Sequence, residues 1–202
     1  MSVGSARRAV AGLSVFAVAA GFAVVAGVGV AGAAPETPGS LTWNANNYEY
    51  TRTISNVTPS EGETITVKTV FKRKNIVVDY LYAIKDVHPT CLTYVEGSAK
   101  VNGSTRSVES KGADFVRVKG SLTEWPLYNN DSKTFEFKYT VGADCAREVP
   151  LDTSVHYNAS VTSSDFQNKG PAVTVSKNIS TTTLSPTSGV KLGQAVPLSA
   201  TV

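Results

Sequence analysis

Cys91 and Cys145 are the only cysteines in this chain of 202 residues, and His88 and His156 are its only histidines. Two thiols can close a disulfide, or one of them can act as a nucleophile with an imidazole as its base. An even cysteine count in an exported chain favours the bridge, and nothing else around either histidine suggests a nucleophile site. A Cys91–Cys145 disulfide is therefore expected, contributing about 4 kcal/mol on the chain-entropy model.

Other side chains offer thinner chemistry. Asp79, Asp86 and His88 share one strand or its end, and Asn129–Ser132 is rich in oxygen, but neither has the ligand count or spacing of a metal cage. Trp125 and Tyr128, with Trp43, Tyr48 and Tyr50, are the ring types that form a platform for a polysaccharide. The stretch Trp125-Pro126-Leu127-Tyr128 is the first place for such a site, because its turn-rich surroundings predict exposure. Lys68 or Lys72 could condense with Asn158 into an isopeptide bond, with Glu136 as proton shuttle, although solvent-facing strand positions account for all four residues. Gly27–Gly32 spells G-x-G-x-x-G, yet no strand precedes it and no helix follows, so it is not a dinucleotide site. No triad spacing, G-x-S-x-G or H-E-x-x-H is present, and neither an enzyme nor a cofactor is expected.

The elements that must carry these residues read as strands. Thr64–Phe71 alternates, with Ile65, Val67 and Phe71 on one side and Thr66, Lys68 and Lys72 on the other. Lys133–Val141 sets Phe135, Phe137, Tyr139 and Val141 against Glu136, Lys138 and Thr140. Tyr48, Tyr50, Arg52 and Ile54 share a parity, as do Val155, Tyr157, Ala159 and Val161. Asp79–Val87 is expected to place Tyr80, Tyr82 and Ile84 on one face and Leu81, Ala83 and Lys85 on the other. Pro89 stops that strand, since proline has no N–H for a ladder. Asn44–Asn47 interrupts an earlier strand, and Asn102-Gly103 is a hairpin signal. Strands separated by Gly, Pro, Asn and Ser turns, without an amphipathic helix, predict an all-β, antiparallel sandwich.

The run from Asp86 to Gly103, DVHPTCLTYVEGSAKVNG, resembles the signature of the DUF11 repeat family. Ser132–Val141 is similar to that family's late strand, and Tyr157–Thr162 to its last one. The resemblance covers about residues 55 to 178 and implies an Ig-like β-sandwich repeat of a bacterial surface or secreted protein. Cys91 stands where the family usually has glycine, so the corner is braced differently. Thr181–Val202 resembles the opening of a second family, the bacterial Ig-like group 3 repeat, with Val196, Leu198, Ala200 and Val202 alternating. Two strands do not make a sandwich, so this segment reads as the start of a repeat that continues in a longer polypeptide.

Met1–Ala34 combines Arg7-Arg8, the uncharged run Ala9–Val30 and the small-x-small site Ala31-Gly32-Ala33, the pattern of a helical secretory leader cleaved after Ala33. An uncleaved anchor is the competing reading, since 22 residues suffice to span a bilayer. Without Arg7 and Arg8 the basic count falls from 19 to 17 against 16 acidic residues, leaving no excess for nucleic acid or anionic membrane.

The expected organisation is a signal peptide (1–33), a linker (34–40), an Ig-like sandwich (41–179) and the first strands of a further repeat (180–202). The expected role is a non-catalytic structural or adhesive module of an extracellular bacterial protein. Expected partners are a cell-wall or host-surface protein or glycan and further Ig-like repeats. The alternative is a carbohydrate-binding accessory domain of a secreted hydrolase.

Overall fold

The computed structural model describes residues 36–178, together with the short pair Thr183–Leu184 and Ala200–Thr201. The expected signal peptide and nearly all of the expected second repeat lie outside the described residues. In chain order the strands are β1 (Gly39–Ala45), β2 (Tyr48–Ile54), β3 (Thr64–Arg73), β4 (Asp79–Val87), β5 (Leu92–Tyr94), β6 (Lys100–Val101), β7 (Ser104–Thr105), β8 (Val108–Lys111), β9 (Phe115–Lys119), β10 (Trp125–Leu127), β11 (Ser132–Val141), β12 (Ser154–Ala159), β13 (Ser163–Asp165), β14 (Thr183–Leu184) and β15 (Ala200–Thr201).

Two antiparallel sheets pack face to face. The first runs β1-β2-β3-β11-β6-β7, with β5 also on β11, and the second runs β13-β12-β4-β9-β8, with β10 on the start of β4. β14 and β15 pair with each other. The alternation in β3 and β11 does what the pattern requires. Ile65, Val67, Thr69 and Phe71 are buried, as are Phe135, Phe137, Tyr139 and Val141, while Thr66, Lys68, Glu136, Lys138 and Thr140 face outward. Between the sheets, Trp125 of β10 meets Phe135 edge-on at 5.3 Å between ring centres, and Tyr157 of β12 meets Phe71 at 5.4 Å.

Turn chemistry sets the connections. Asn46 and Asn47 take φ of 51° and 60° between β1 and β2, and Asn102 and Gly103 take 49° and 81° between β6 and β7. Positive φ at two successive positions is what a tight hairpin turn demands, and Asn and Gly tolerate it.

β4 departs from the expected pattern. Leu81 and Ile84 are both buried although they differ in parity, and Tyr80 and Tyr82 are half-buried. The cause is a bulge: Asn158 and Ala159 of β12 stand opposite Ala83 and Leu81, so Tyr82 is an extra residue and the strand changes phase. Asp79 and Leu81 face the core before the bulge, Ile84 and Asp86 after it.

The segments that enter and leave the sandwich both lie against one residue. The Val57 N–H donates to the Thr37 carbonyl at 2.7 Å, and the Val57 carbonyl accepts the Thr174 N–H at 2.8 Å. Two ladder spacings of about 4.8 Å put entry and exit within about 10 Å of each other. Val57 follows Ile54, at the foot of the β2–β3 hairpin. At the opposite end, hereafter the free end, Tyr48 pairs with Arg73, away from Thr37 and Thr174.

Candidate functional site

At that free end four connections converge: Asn46–Asn47, Lys74–Val78, Tyr128–Asp131 and Ser160–Thr162. Two buried charges hold them. Arg73, the last residue of β3, occupies an inward position of the β3 alternation and is 1% exposed. Its Nε donates to the Val77 carbonyl at 3.1 Å, Nη1 donates to the Asn46 carbonyl at 3.4 Å, and its guanidinium stands 4.8 Å over the Tyr48 ring. Its backbone N–H donates to Asp131 and its carbonyl accepts from Asn130.

Asp79, the first residue of β4, is fully buried and lies 3.8 Å from Arg73. It accepts from Tyr48 Oη (2.9 Å), Ser160 Oγ (2.8 Å), the Val161 N–H (2.9 Å) and Thr162 Oγ1 (3.3 Å). A buried carboxylate needs donors on its lone pairs and a cation nearby, and this one has both. Arg73 therefore ties three of the loops together, and Asp79 ties the fourth to them.

A second buried pair braces the interior. Arg52 of β2 and Asp86 of β4 belong to different sheets and meet at 2.5 Å, 0% and 1% exposed. Arg52 also donates to Thr69 and Thr153, and Tyr139 Oη donates to Asp86 at 2.7 Å. Burial, then the neighbouring Asp86 carboxylate, raises Tyr139 well above the ordinary tyrosine range. Burial, then Asp79, does the same for Tyr48, and burial with the Tyr157 hydrogen bond for Tyr50. These hydroxyls stay protonated and act as donors.

The candidates from sequence are placed as follows. Cys91 and Cys145 are bonded, with Cα atoms 5.0 Å apart. The bridge joins the corner before β5 to the turn after β11, beside the Leu92–Val141 pairing, and so braces the tethered end. The expected exposure of Trp125 is overturned: it is 2% exposed, with its indole packed on Phe135. Proline and turn residues suggested a loop, yet Pro126 faces outward opposite Tyr80, and Gly120 leaves room for the indole. The neighbouring Tyr128 does lie at the surface, 55% exposed. Tyr48 and Tyr50 are core residues, so no platform joins these rings to Tyr128.

Asp79 and Asp86 spend their oxygens on internal donors, and His88 is buried against the Tyr139 ring, so the three do not form a metal cage. Lys68 pairs with Glu136 on the outer face of the first sheet, while Asn158 lies outward on the second, which separates the isopeptide candidates. Arg52 and Arg73 were not singled out as site residues. Their signal is a charge at an inward parity, in line with Tyr48, Tyr50 and Ile54 for Arg52 and with Phe71 for Arg73.

No family model matches the sequence, and no curated protein matches it. The DUF11 resemblance thus rests on the quoted motif. Among solved structures, a protein of Corynebacterium diphtheriae described as membrane anchored is similar in fold, with TM-score 0.52 and 13% identity over 67% of this chain and 37% of that one. The pilus backbone protein of Streptococcus pneumoniae gives TM-score 0.40 and 13% identity over 51% and 43%. The collagen-binding domain of an Erysipelothrix rhusiopathiae surface protein gives 0.33 and 10% over 69% and 56%. The chain spans less than two thirds of each. The first match shows that both share an Ig-like sandwich.

Proposed function

We propose that this chain is an exported, non-catalytic structural and adhesive module of a bacterial cell-surface protein. The observation that carries this reading is the division of the sandwich into a tethered end and a rigid free end. Entry and exit meet at Val57, while Arg73 and Asp79 fix four loops at the far side. Such an end serves as a preformed contact surface, because loops that are already ordered lose less freedom on binding. The leader of residues 1–33, the extracellular-type disulfide and a fold shared with a membrane-anchored protein support the same reading. The resemblance of Thr181–Val202 to the opening of an Ig-like repeat fits such a module.

The test is expression with the native leader in a bacterial host, followed by labelling of intact cells or medium with an amine reagent that does not cross membranes. Labelling of Lys74 in a chain that starts at Ala34 is the expected result. A chain retained in the cytoplasm, unlabelled and with both thiols free, contradicts the proposal.

A further inference from the structure

A strand at the border of a sheet leaves a row of N–H and C=O groups unpaired, and folded chains blunt such rows with shortness, charge, proline or a bulge. β8 carries Glu109 and Lys111 and is bulged at Glu109, β13 is three residues long, and β7 is two. β1 has none of these devices. Its seven residues, GSLTWNA, hold no charge and no proline, and they pair with β2 in an unbroken register from Gly39–Ile54 to Ala45–Tyr48. Among the described residues β1 has a ladder neighbour on one side only.

The turn fixes which main-chain groups face the open side. Asn46 and Asn47 form a two-residue loop, so the flanking pair Ala45–Tyr48 is hydrogen-bonded and bonded pairs alternate from there. Gly39, Leu41, Trp43 and Ala45 therefore point their N–H and C=O groups at β2. The Ser55 N–H, just past β2, donates to the Thr66 carbonyl, which puts odd positions of that strand on β3 and even ones on β1, in agreement. Ser40, Thr42 and Asn44 are left with N–H and C=O aimed away from the sheet, and all three are exposed. On the core side Trp43 stacks on Tyr50 at 5.0 Å and meets Phe166 edge-on at 5.4 Å. Leu41 shares its parity yet is 36% exposed, so the dry face of the sheet runs out to the border. Charges flank the strand rather than stand on it: Glu49 opposite Asn44, with Lys72 and Lys74 around it, and Asp165 beside Phe166, with His156.

We propose that β1 is a homophilic contact, pairing antiparallel with β1 of a second copy and joining the two first sheets into one. The strand is complementary to itself about Thr42. A two-fold axis there sets Thr42 against Thr42 and Ser40 against Asn44 as bonded pairs, which satisfies every main-chain group that Ser40, Thr42 and Asn44 present. The same register sets Leu41 beside Trp43 of the other copy in the closer, non-bonded pairing, where aromatic and aliphatic side chains reinforce a sheet. A slip of one residue loses both matches. This self-match is what selects a second copy over an unrelated strand. A contact through one strand of seven residues belongs to the weak class, burying less than about 1,200 Å² in all. It lies on a border of the sandwich, not at the loop end, and is testable in solution without the surface role proposed above.

The test is sedimentation of the purified, exported chain over micromolar to millimolar concentrations, where the average mass should rise toward two chains. Thr42→Lys and Thr42→Asp each set like charges against one another on the axis and should weaken association at least tenfold, while an equimolar mixture of the two should associate again. Thr42→Pro removes an N–H that β2 does not use, and should abolish association while circular dichroism stays unchanged. Amide exchange at Ser40, Thr42 and Asn44 should slow as concentration rises, with Leu41 and Trp43 slow throughout. A chain that stays monomeric at millimolar concentration overturns the proposal, whether the border is then bare or takes a strand of another protein. Association that persists in Thr42→Pro, or a mixture of the charged variants no stronger than its components, also overturns it. The charged pair decides the matter if the proline variant fails to fold.

Discussion

Arg52 and Asp86 cross the sandwich as a charge pair with almost no access to water, and their value depends on both being present. Arg52→Ala leaves the Asp86 carboxylate buried without its cation and is expected to cost about 3–5 kcal/mol in denaturant unfolding. Arg52→Met combined with Asp86→Leu should cost less than either single change, because no charge is then stranded. The tyrosines give a pH dependence of defined sign. Tyr48, Tyr50 and Tyr139 are raised in the folded state, so the stability they hold is complete below the unfolded value near 10 and is lost as pH rises above it. Each contributes a slope of about 1.4 kcal/mol per pH unit there. Unfolding curves at pH 9, 10 and 11 should show the fall, and Tyr139→Phe should make it shallower. The inward parity of Arg52 was readable from its row of tyrosines, but its partner was not. Asp86 lies on a strand whose phase shifts at Tyr82, and the shift depends on pairing with β12 rather than on the local pattern.

Strands with one wet face and one dry face were legible because alternation records that environment directly, as in β3 and β11. The hairpin at Asn102-Gly103 was legible for a different reason, the demand for positive φ, whereas Asn44–Asn47 read only as a break in a strand and proves to hold the β1–β2 turn at Asn46-Asn47. Trp125 was misread because three residues of β10 are too short for a period, and the proline beside it signals a turn when seen alone. At this scale the disulfide closes a separation of 54 residues. Replacing both cysteines by serine should lower stability by about 4 kcal/mol without changing the strand content seen by circular dichroism. Gly170 sits where a Cβ would overlap Thr153 Oγ1 and come within 2.8 Å of Arg52. Gly170→Ala should destabilise the domain through that overlap, read as a lower unfolding midpoint, although the glycine is remote from every loop of the free end.

The described sandwich is fastened differently at its two ends. The disulfide and the Val57 bonds secure the end where the chain enters and leaves, and Arg73 with Asp79 secures the end it presents. That polarity could not be seen in the sequence, because residues 46, 77, 130 and 161 become neighbours only through long-range strand order. These bonds predict loops that are ordered rather than frayed, which is the condition for a contact face at low ordering cost. Amide hydrogen exchange of the oxidised chain, followed residue by residue in the wild type and in Asp79→Asn, tests this most directly. The account predicts that the N–H groups of Arg73, Lys74, Asn130 and Val161 are protected in the wild type, and that Asp79→Asn releases Val161 and its loop while β3 and β11 stay closed. Free exchange of these four amides in the wild type, at the rate of an unfolded chain, would contradict it.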